Sequence, residues 1–231
     1  MSSKKYAALK VENLSKNFSK PVLESLSFEI SSGQSVALVG ANGAGKSTLL
    51  KCLMGLIFPN QGEILFFDSA MPGSLEAKAK VAFLPELVSF WPEMTPLEIL
   101  ALCVEDHTPR EKLKETLSTV GLVDRSQSRV GEFSKGMTQR LGLACLLIRD
   151  PNFLILDEPM TGLDFRAQEW LRHFLLKWKQ NEKTLLISTH SLRDVEILAD
   201  HVLVLEKGKL AQSGSKEKIL PELYKWREQL T

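Results

Sequence analysis

The spacing of apolar residues predicts strands and helices that alternate along most of the chain. Between residues 8 and 30, apolar and polar positions alternate twice, first at Leu9 and Val11 and again from Leu26 to Ile30, as in half-buried strands of an antiparallel sheet. Residues 36–39 form a short unbroken apolar run, which favours a buried parallel strand. Further strand-like runs cover residues 63–67, 81–84, 153–156, 184–188 and 202–205, and helical spacing covers residues 46–57, 165–180 and 192–198. This alternation predicts an α/β protein built on a parallel sheet.

The alternation stops between about residues 92 and 150, where no strand pattern occurs. Helical patterns over residues 96–105, 109–120 and 136–149 predict a helical subdomain inserted into the α/β core. Lys207 and Gly208 predict a hairpin turn, and residues 216–231 predict one or two amphipathic helices. We therefore expect one domain over residues 1–231, with a core over 6–91 and 150–213, a helical subdomain over 92–149 and a helical tail over 214–231.

Composition narrows the possible partners and compartments. The 231 residues carry 29 Lys and Arg against 28 Asp and Glu, a formal net charge of +1, which argues against binding nucleic acid through bulk positive charge. Cys52, Cys103 and Cys145 are far apart, which predicts neither a disulfide framework nor a metal site and favours a reducing compartment. The longest apolar run spans residues 143–148, far short of the roughly 18 needed to cross a bilayer, and no signal peptide follows Met1.

A glycine-rich turn between a predicted strand and a predicted helix matches the pattern G-x-x-x-x-G-K-[ST]. Glycines let successive backbone N–H groups point at phosphate oxygens, and the start of the helix adds a favourable dipole. Lys46 would reach the β- and γ-phosphates, and the Ser47 hydroxyl would bind Mg²⁺. The predicted phosphate-binding residues are Gly40, Ala41, Asn42, Gly43, Ala44, Gly45, Lys46, Ser47 and Thr48.

Two adjacent carboxylates end the apolar run of residues 153–156. Asp157 could bind Mg²⁺ directly or through water. Because side chains alternate along a strand, Glu158 is expected to point the other way, where it could hold an attacking water as a general base. The carboxylates repel each other unless a cation is present, and a solvated strand end is the alternative interpretation.

Two further segments are ambiguous on physical grounds alone. The run of residues 184–189 ends at His190, and a single histidine is more often structural, but the carboxyl end of a parallel strand is where ligands bind, so a γ-phosphate contact is the preferred interpretation. Ser134 is a good N-cap for the helix predicted after it, and Gly136 allows a close approach of the backbone. Those two features are equally consistent with an ordinary capped helix.

With these motifs in this order, the chain resembles the nucleotide-binding domain of ABC transporters over about residues 8–213. Residues 40–48 resemble its Walker A motif, residues 153–158 its Walker B motif with the catalytic glutamate, and residues 133–137 its LSGGQ signature. Residues 161–164 resemble the D-loop, and His190 resembles the switch histidine. The resemblance implies a P-loop NTPase with a RecA-like parallel sheet core, an N-terminal antiparallel β subdomain and an inserted helical subdomain.

The resemblance also implies ATP and Mg²⁺ as cofactors and a role for each motif. Glu158 and His190 would act in catalysis, and Ser47, Glu86 and Asp157 would hold the metal. Phe18 matches the aromatic residue that stacks on adenine, although a core aromatic at a strand end is the alternative. Two such domains would pair head to tail, so that the phosphates at one P-loop would also meet three signature residues of the partner, which are Ser134, Gly136 and Met137.

Three departures from the usual family pattern are informative. Glu86 follows Pro85 where glutamine is usual, the signature reads Phe-Ser-Lys-Gly-Met, and Phe165 stands where proline is common. The first two are similar to the branch that pairs with ABC-2-type membrane subunits. That branch includes drug, bacteriocin-immunity and sodium exporters, gliding-motility ATPases and the copper-maturation ATPase of nitrous oxide reductase, and residues 84–93 look closest to the last of these.

The function implied is an ATPase subunit that couples ATP hydrolysis to an integral membrane permease at the cytoplasmic face of the inner membrane. It would work as a homodimer or with a paired ATPase subunit, and no nucleic-acid partner is expected. A soluble mechanical or regulatory ABC ATPase is the alternative, but such proteins usually carry coiled-coil insertions, zinc modules or tandem domains, and the sequence has none of these patterns. A small-molecule kinase or a GTPase would share only the P-loop.

Two aromatic segments remain open to more than one interpretation. Residues 87–92 would line the groove that receives a helix of the membrane subunit in this family, with Phe90 and Trp91 partly exposed, or they would simply belong to the core. Trp170, Phe174 and Trp178 are spaced four residues apart and predict one packed helix face.

Overall fold

A computed structural model describes residues 6–104 and 107–228 of the chain. Two sheets organise these residues, as the sequence pattern predicted. The strands are β1 (Ala7–Asn17), β2 (Pro21–Ser31), β3 (Ser35–Val39), β4 (Gln61–Phe66), β5 (Val81–Leu84), β6 (Phe153–Asp157), β7 (Thr184–Thr189), β8 (His201–Glu206) and β9 (Lys209–Ser215). The helices are α1 (Lys46–Leu53), α2 (Leu75–Lys80), α3 (Pro96–Ala101), α4 (Arg110–Thr119), α5 (Lys135–Leu147), α6 (Phe165–Lys179), α7 (Leu192–Leu198) and α8 (Lys216–Glu228).

The amino-terminal strands form a three-stranded antiparallel sheet in the order β2-β1-β4. Its inner face is lined by Leu9, Val11 and Leu14 of β1, which are almost fully buried. These side chains pack with α1 and with one face of the second sheet in a single apolar cluster. The alternating pattern of residues 8–30 therefore arises from a sheet with one buried face.

The second sheet has the order β5-β6-β7-β3-β8-β9, in which all pairs are parallel except β8 with β9. Every residue of β3, β6 and β7 is buried, which explains why their sequences are apolar without alternation. Asp157 pairs with Ser188, and Val39 pairs with Thr189, so the carboxyl ends of these three strands lie at one edge of the sheet. The hairpin turn predicted at Lys207 and Gly208 joins β8 to β9.

Between β5 and β6 the described residues form helices α3, α4 and α5 and no strand, as predicted. Helix α3 begins at a capping box in which the Thr95 hydroxyl accepts a hydrogen bond from the Glu98 N–H, and the Glu98 carboxylate accepts one from the Thr95 N–H. It ends at Ala101, earlier than the predicted residue 105, which lies outside the described residues. Helix α5 packs so closely on β5 that a Cβ at Gly142 would come within 2.8 Å of a methyl group of Leu84.

Helix α2 was not predicted from the sequence. Its single buried side chain is Ala77, and Leu75 is 87% exposed, so the segment carries no apolar periodicity. The N-cap Ser74, whose hydroxyl accepts a hydrogen bond from the Ala77 N–H, starts this short helix instead. The tail forms one helix through residue 228, and Pro221 lies within it. No helix in the described part of the chain is both long and apolar enough to span a membrane.

Candidate active site

The predicted phosphate-binding loop joins β3 to α1, as its context in the sequence requires. Gly45 caps α1 with a φ of 107°, a backbone conformation that L residues with a side chain rarely adopt. No side chain accepts a hydrogen bond at this helix start, so the first-turn N–H groups are available to a ligand. Lys46 is buried, and its ammonium donates hydrogen bonds to the carbonyl oxygens of Gly40 at 2.7 Å and Ala41 at 3.4 Å.

A cavity of about 390 Å³ lies over this loop. It gathers residues that follow the carboxyl ends of β3, β5, β6 and β7, together with Val22 of β2. Its lining consists of Val22, Ala41, Asn42, Gly43, Gly45, Lys46, Ser47, Thr48, Glu86, Glu158, Thr161 and His190. A larger cavity of about 940 Å³ lies between α4 and α6, against the stacked rings of Trp170 and Phe174, and none of the predicted site residues lines it. The smaller cavity is the candidate active site because charged and polar groups converge there.

Glu158 lies at the centre of the charged groups in this cavity. Its Oε1 is 3.3 Å from the Lys46 Nζ, and its Oε2 is 2.8 Å from the His190 Nδ1. Oε1 is buried and accepts no hydrogen bond from any described residue, and its contact with the Lys46 ammonium is an ion pair. A buried carboxylate oxygen with a free acceptor position can receive a hydrogen bond from a water molecule.

The backbone of Glu158 differs from the sequence-based expectation. Its side chain was expected to turn away from that of Asp157 through strand alternation, but β6 ends at Asp157 and Glu158 has a φ of 44°. This left-handed conformation, and not alternation, directs the carboxylate to Lys46 and His190. Strained backbone of this kind persists only where the surrounding contacts hold it in place.

Asp157 is buried at the end of β6. Its Oδ1 accepts a hydrogen bond of 2.6 Å from the hydroxyl of Ser188, and no described residue donates to Oδ2. The Ser188 hydroxyl oxygen also accepts a hydrogen bond of 2.8 Å from the Glu158 N–H. Sequence reasoning singled out both carboxylates but missed Ser188, because a serine within an apolar strand carries no signal of what it will contact.

The remaining metal candidates lie at the rim of the same cavity. Ser47 is half-buried in the first turn of α1, and Glu86 is exposed just beyond the end of β5. Asp157 ends β6 behind them and does not itself line the cavity, but together the three residues offer one hydroxyl and two carboxylates, which are the donors that Mg²⁺ prefers. The residues present therefore fit a magnesium ion.

Of the predicted nucleotide contacts, Gly40 and Ala44 belong to the phosphate loop but do not line the cavity, and four others lie away from it. Ser134, Gly136 and Met137 form the start of α5, where the Ser134 hydroxyl accepts a 3.3 Å hydrogen bond from the Met137 N–H. Phe18 is 59% exposed, and the Lys16 ammonium lies 5.0 Å from the centre of its ring. Phe18 is therefore not the core aromatic that was its alternative, but Val22, and not Phe18, lines the cavity.

Comparison with known proteins gives consistent matches. A family model described as "ABC transporter" matches residues 23–161. The SkfA peptide export ATP-binding protein SkfE of Bacillus subtilis is 36% identical over 88% of this chain and 87% of that protein. A Nod factor export ATP-binding protein I of Burkholderia lata is 34% identical over 90% of this chain and 71% of that protein. Other relatives are longer than this chain, which spans 61% of one and 58% of another.

A solved structure described as the ATP-binding subunit of an ABC transporter superposes on this fold with a TM-score of 0.83. Its sequence is 30% identical to this one, and the match covers 95% of this chain and 98% of the solved chain. The fold, the order of the motifs and the sequence identity all indicate the same family. The chain therefore belongs to the ABC transporter family and is an ATP-binding, ATP-hydrolysing protein of that family.

Proposed function

We propose that this protein is the ATPase subunit of an exporter, in which ATP hydrolysis drives a separate membrane subunit of the ABC-2 type. The observation that carries the hydrolytic role is the position of Glu158 between Lys46 and His190 in the cavity over the phosphate loop. The export role is supported by relatives whose names specify export of a peptide and of Nod factors. Residues 6–91 and 150–213 would form the ATP-binding core.

The nine residues of the phosphate loop bind the triphosphate in this proposal. Lys46 exchanges its contacts with the Gly40 and Ala41 carbonyl oxygens for phosphate oxygens, and the N–H groups at the start of α1 add further donors. Ser47, Asp157 and Glu86 supply oxygen atoms to Mg²⁺ or to its water shell. When bound, this ion neutralises charge on the phosphates.

Glu158 acts as the general base. Its Oε1 accepts a hydrogen bond from the attacking water and takes the proton as the water oxygen bonds to the γ-phosphorus and the bond from that phosphorus to the oxygen of the leaving ADP breaks. His190 holds the opposite carboxylate oxygen and thereby orients the base. His190 is 65% exposed, so its ring can also reach the γ-phosphate when ATP is present.

The signature segment acts on a second subunit. Ser134, Gly136 and Met137 do not line their own chain's cavity, and they lie at the start of α5, where Ser134 is the N-cap. Two chains that pair head to tail would each complete the other's site, and Phe18 would meet the adenine ring from an exposed position.

Complementation tests this arrangement. Lys46→Ala disables the phosphate loop that one chain contributes to a composite site. Ser134→Arg blocks the signature segment that the other chain contributes. Mixing the two inactive proteins should restore ATP hydrolysis, because a mixed dimer contains one intact site. A mixture no more active than its separate components would contradict head-to-tail pairing.

The membrane partner is proposed to dock beside Glu86, between the core and the helical segment of residues 92–149. Trp91 is 66% exposed and Leu87 is 78% exposed, whereas Phe90 is half-buried against the core. Exposed aromatic and aliphatic side chains of this kind anchor protein interfaces. The protein would then be peripheral, on the cytoplasmic face of the inner membrane.

Reconstitution tests the function as a whole. The chain is purified alone and together with a candidate ABC-2-type membrane subunit from the same organism, and phosphate release is measured in proteoliposomes with Mg²⁺ and ATP. We expect hydrolysis that the membrane subunit stimulates and that Glu158→Gln abolishes. Hydrolysis that no membrane subunit changes would point instead to a soluble ABC ATPase.

A further inference from the structure

Ser188 is a fully buried polar residue in the apolar strand β7, next to the candidate active site. A buried hydroxyl destabilises a protein unless it is hydrogen-bonded. The Ser188 hydroxyl forms two hydrogen bonds at the end of β6, one with Asp157 and one with Glu158, and the proposed mechanism assigns a role to both residues.

Each hydrogen bond constrains a different part of the mechanism. The hydroxyl donates to Asp157 Oδ1 at 2.6 Å, a length typical of an O–H donor on a charged carboxylate, and so fixes the rotation of that carboxylate. The same oxygen accepts the Glu158 N–H at 2.8 Å. Because Glu158 has a φ of 44°, this bond anchors a left-handed residue that would otherwise relax toward a common conformation.

We propose that Ser188 is a positioning residue for ATP hydrolysis. One side chain sets both the direction of the metal-binding carboxylate and the backbone angle from which the general base projects. Ser188 itself does not line the cavity and does not need to touch the nucleotide. The inference rests on the roles proposed for Asp157 and Glu158.

Ser35 offers a matched control within the same sheet. It is also fully buried, and its hydroxyl donates a hydrogen bond of 2.6 Å to the Leu198 carbonyl oxygen. It lies at the start of β3, at the opposite edge of the sheet from the carboxyl ends. Ser35→Ala therefore removes a comparable buried hydrogen bond without affecting the site.

The test compares Ser188→Ala with Ser35→Ala in the full chain. We expect similar small losses of Tm in both variants, but only Ser188→Ala should lower kcat, by about tenfold or more, while KM for ATP stays nearly constant. Ser188→Thr keeps the hydroxyl and should retain most of the rate. Ser188→Cys, with nearly the same volume but a weak hydrogen-bonding thiol, should resemble Ser188→Ala and provides a second variant if alanine prevents folding.

A binding measurement separates this inference from the proposed function. A fluorescent ATP analogue is titrated at several Mg²⁺ concentrations, and Ser188→Ala should need more Mg²⁺ than Ser35→Ala for the same saturation. If both variants match the parent in kcat and in the Mg²⁺ curve, Ser188 is only a structural serine, although the proposed function stands. If the parent releases no phosphate, the proposed function fails, and the Mg²⁺ curves alone then support or overturn the role of Ser188.

Discussion

The ammonium of Lys46 and the carboxylate of Glu158 form a 3.3 Å ion pair in which the two side chains are 6% and 12% exposed. Each is the counter-ion of the other in a poorly solvated site, where an unpaired charge would be costly. In the proposed site, the phosphates of ATP bind the same ammonium. Nucleotide would then replace Glu158 as the partner of Lys46, and this exchange would free the carboxylate to hold water.

Glu158→Gln should separate nucleotide binding from hydrolysis. The amide cannot take a proton, so we expect kcat to fall by about 10²–10⁴. Binding of ATP should persist and become tighter, because the Lys46 ammonium no longer has to break an ion pair with a carboxylate. Static light scattering should then detect a stable dimer with ATP. Hydrolysis at the parental rate would remove Glu158 from the role of base.

Lys46→Ala should abolish productive ATP binding, since it removes the one buried ammonium that contacts the loop carbonyl oxygens. Isothermal titration calorimetry with ATP and Mg²⁺ measures the loss directly. Lys51→Ala is the matched control, because Lys51 lies on the same helix but is exposed and does not line the cavity. Equal affinities in both variants would contradict the assignment of the phosphate site.

Glu86→Gln should change the response to Mg²⁺ and leave stability unaltered. Glu86 is exposed at the cavity rim, so its replacement disturbs no packing, but a carboxylate beside a triphosphate is tolerable only close to the metal. ATPase activity is followed as Mg²⁺ is titrated, with Glu76→Gln on the exposed face of α2 as the control. Superimposable titrations and equal stimulation by the partner would show that Glu86 does not contact the metal shell.

Trp91→Ala should weaken association with the membrane partner without destabilising the fold. Trp91 is 66% exposed, and surface substitutions usually change stability by less than about 0.5 kcal/mol. Trp178→Ala is the contrasting variant, since Trp178 is 9% exposed and truncation of a buried tryptophan costs about 3–5 kcal/mol. If Trp91→Ala lowers Tm as much as Trp178→Ala and leaves recovery in the membrane fraction unchanged, docking at Trp91 is wrong.

Cys103 should be the first cysteine to react with iodoacetamide. A hydrogen bond from the Cys145 thiol stabilises its thiolate and lowers the pKa of Cys103 to about 7, whereas burial raises the pKa of Cys52. Labelling, followed by mass spectrometry against pH, should therefore rise through about pH 7. In Cys145→Ala the midpoint should return toward the ordinary thiol pKa of about 8.5. An unchanged midpoint would rule out the thiol–thiol contact.

The strands and the phosphate loop could be predicted from the sequence because the residue patterns that identify them are local. Strands such as β3 and β6 are buried on both faces and therefore form unbroken apolar runs in the sequence, and glycine spacing marks the loop. Contacts between residues that are far apart in the sequence could not be predicted from such local patterns. The sequence does not show that Ser188 faces Asp157 whereas Ser35 faces a helix end, because both are serines in buried strands.

The order of strands in the parallel sheet also determines how late in synthesis the candidate active site can form. Strands β3 and β6 do not pair with each other, because β7 lies between them and hydrogen-bonds to both. A nascent chain that has not yet released residues 184–189 from the ribosome therefore has the phosphate loop and Asp157 but nothing that joins their strands. In the proposed site, nucleotide needs the phosphate loop and Asp157 to be held together by β7, which is translated late, so ATP binding would stabilise the completed fold relative to partial ones.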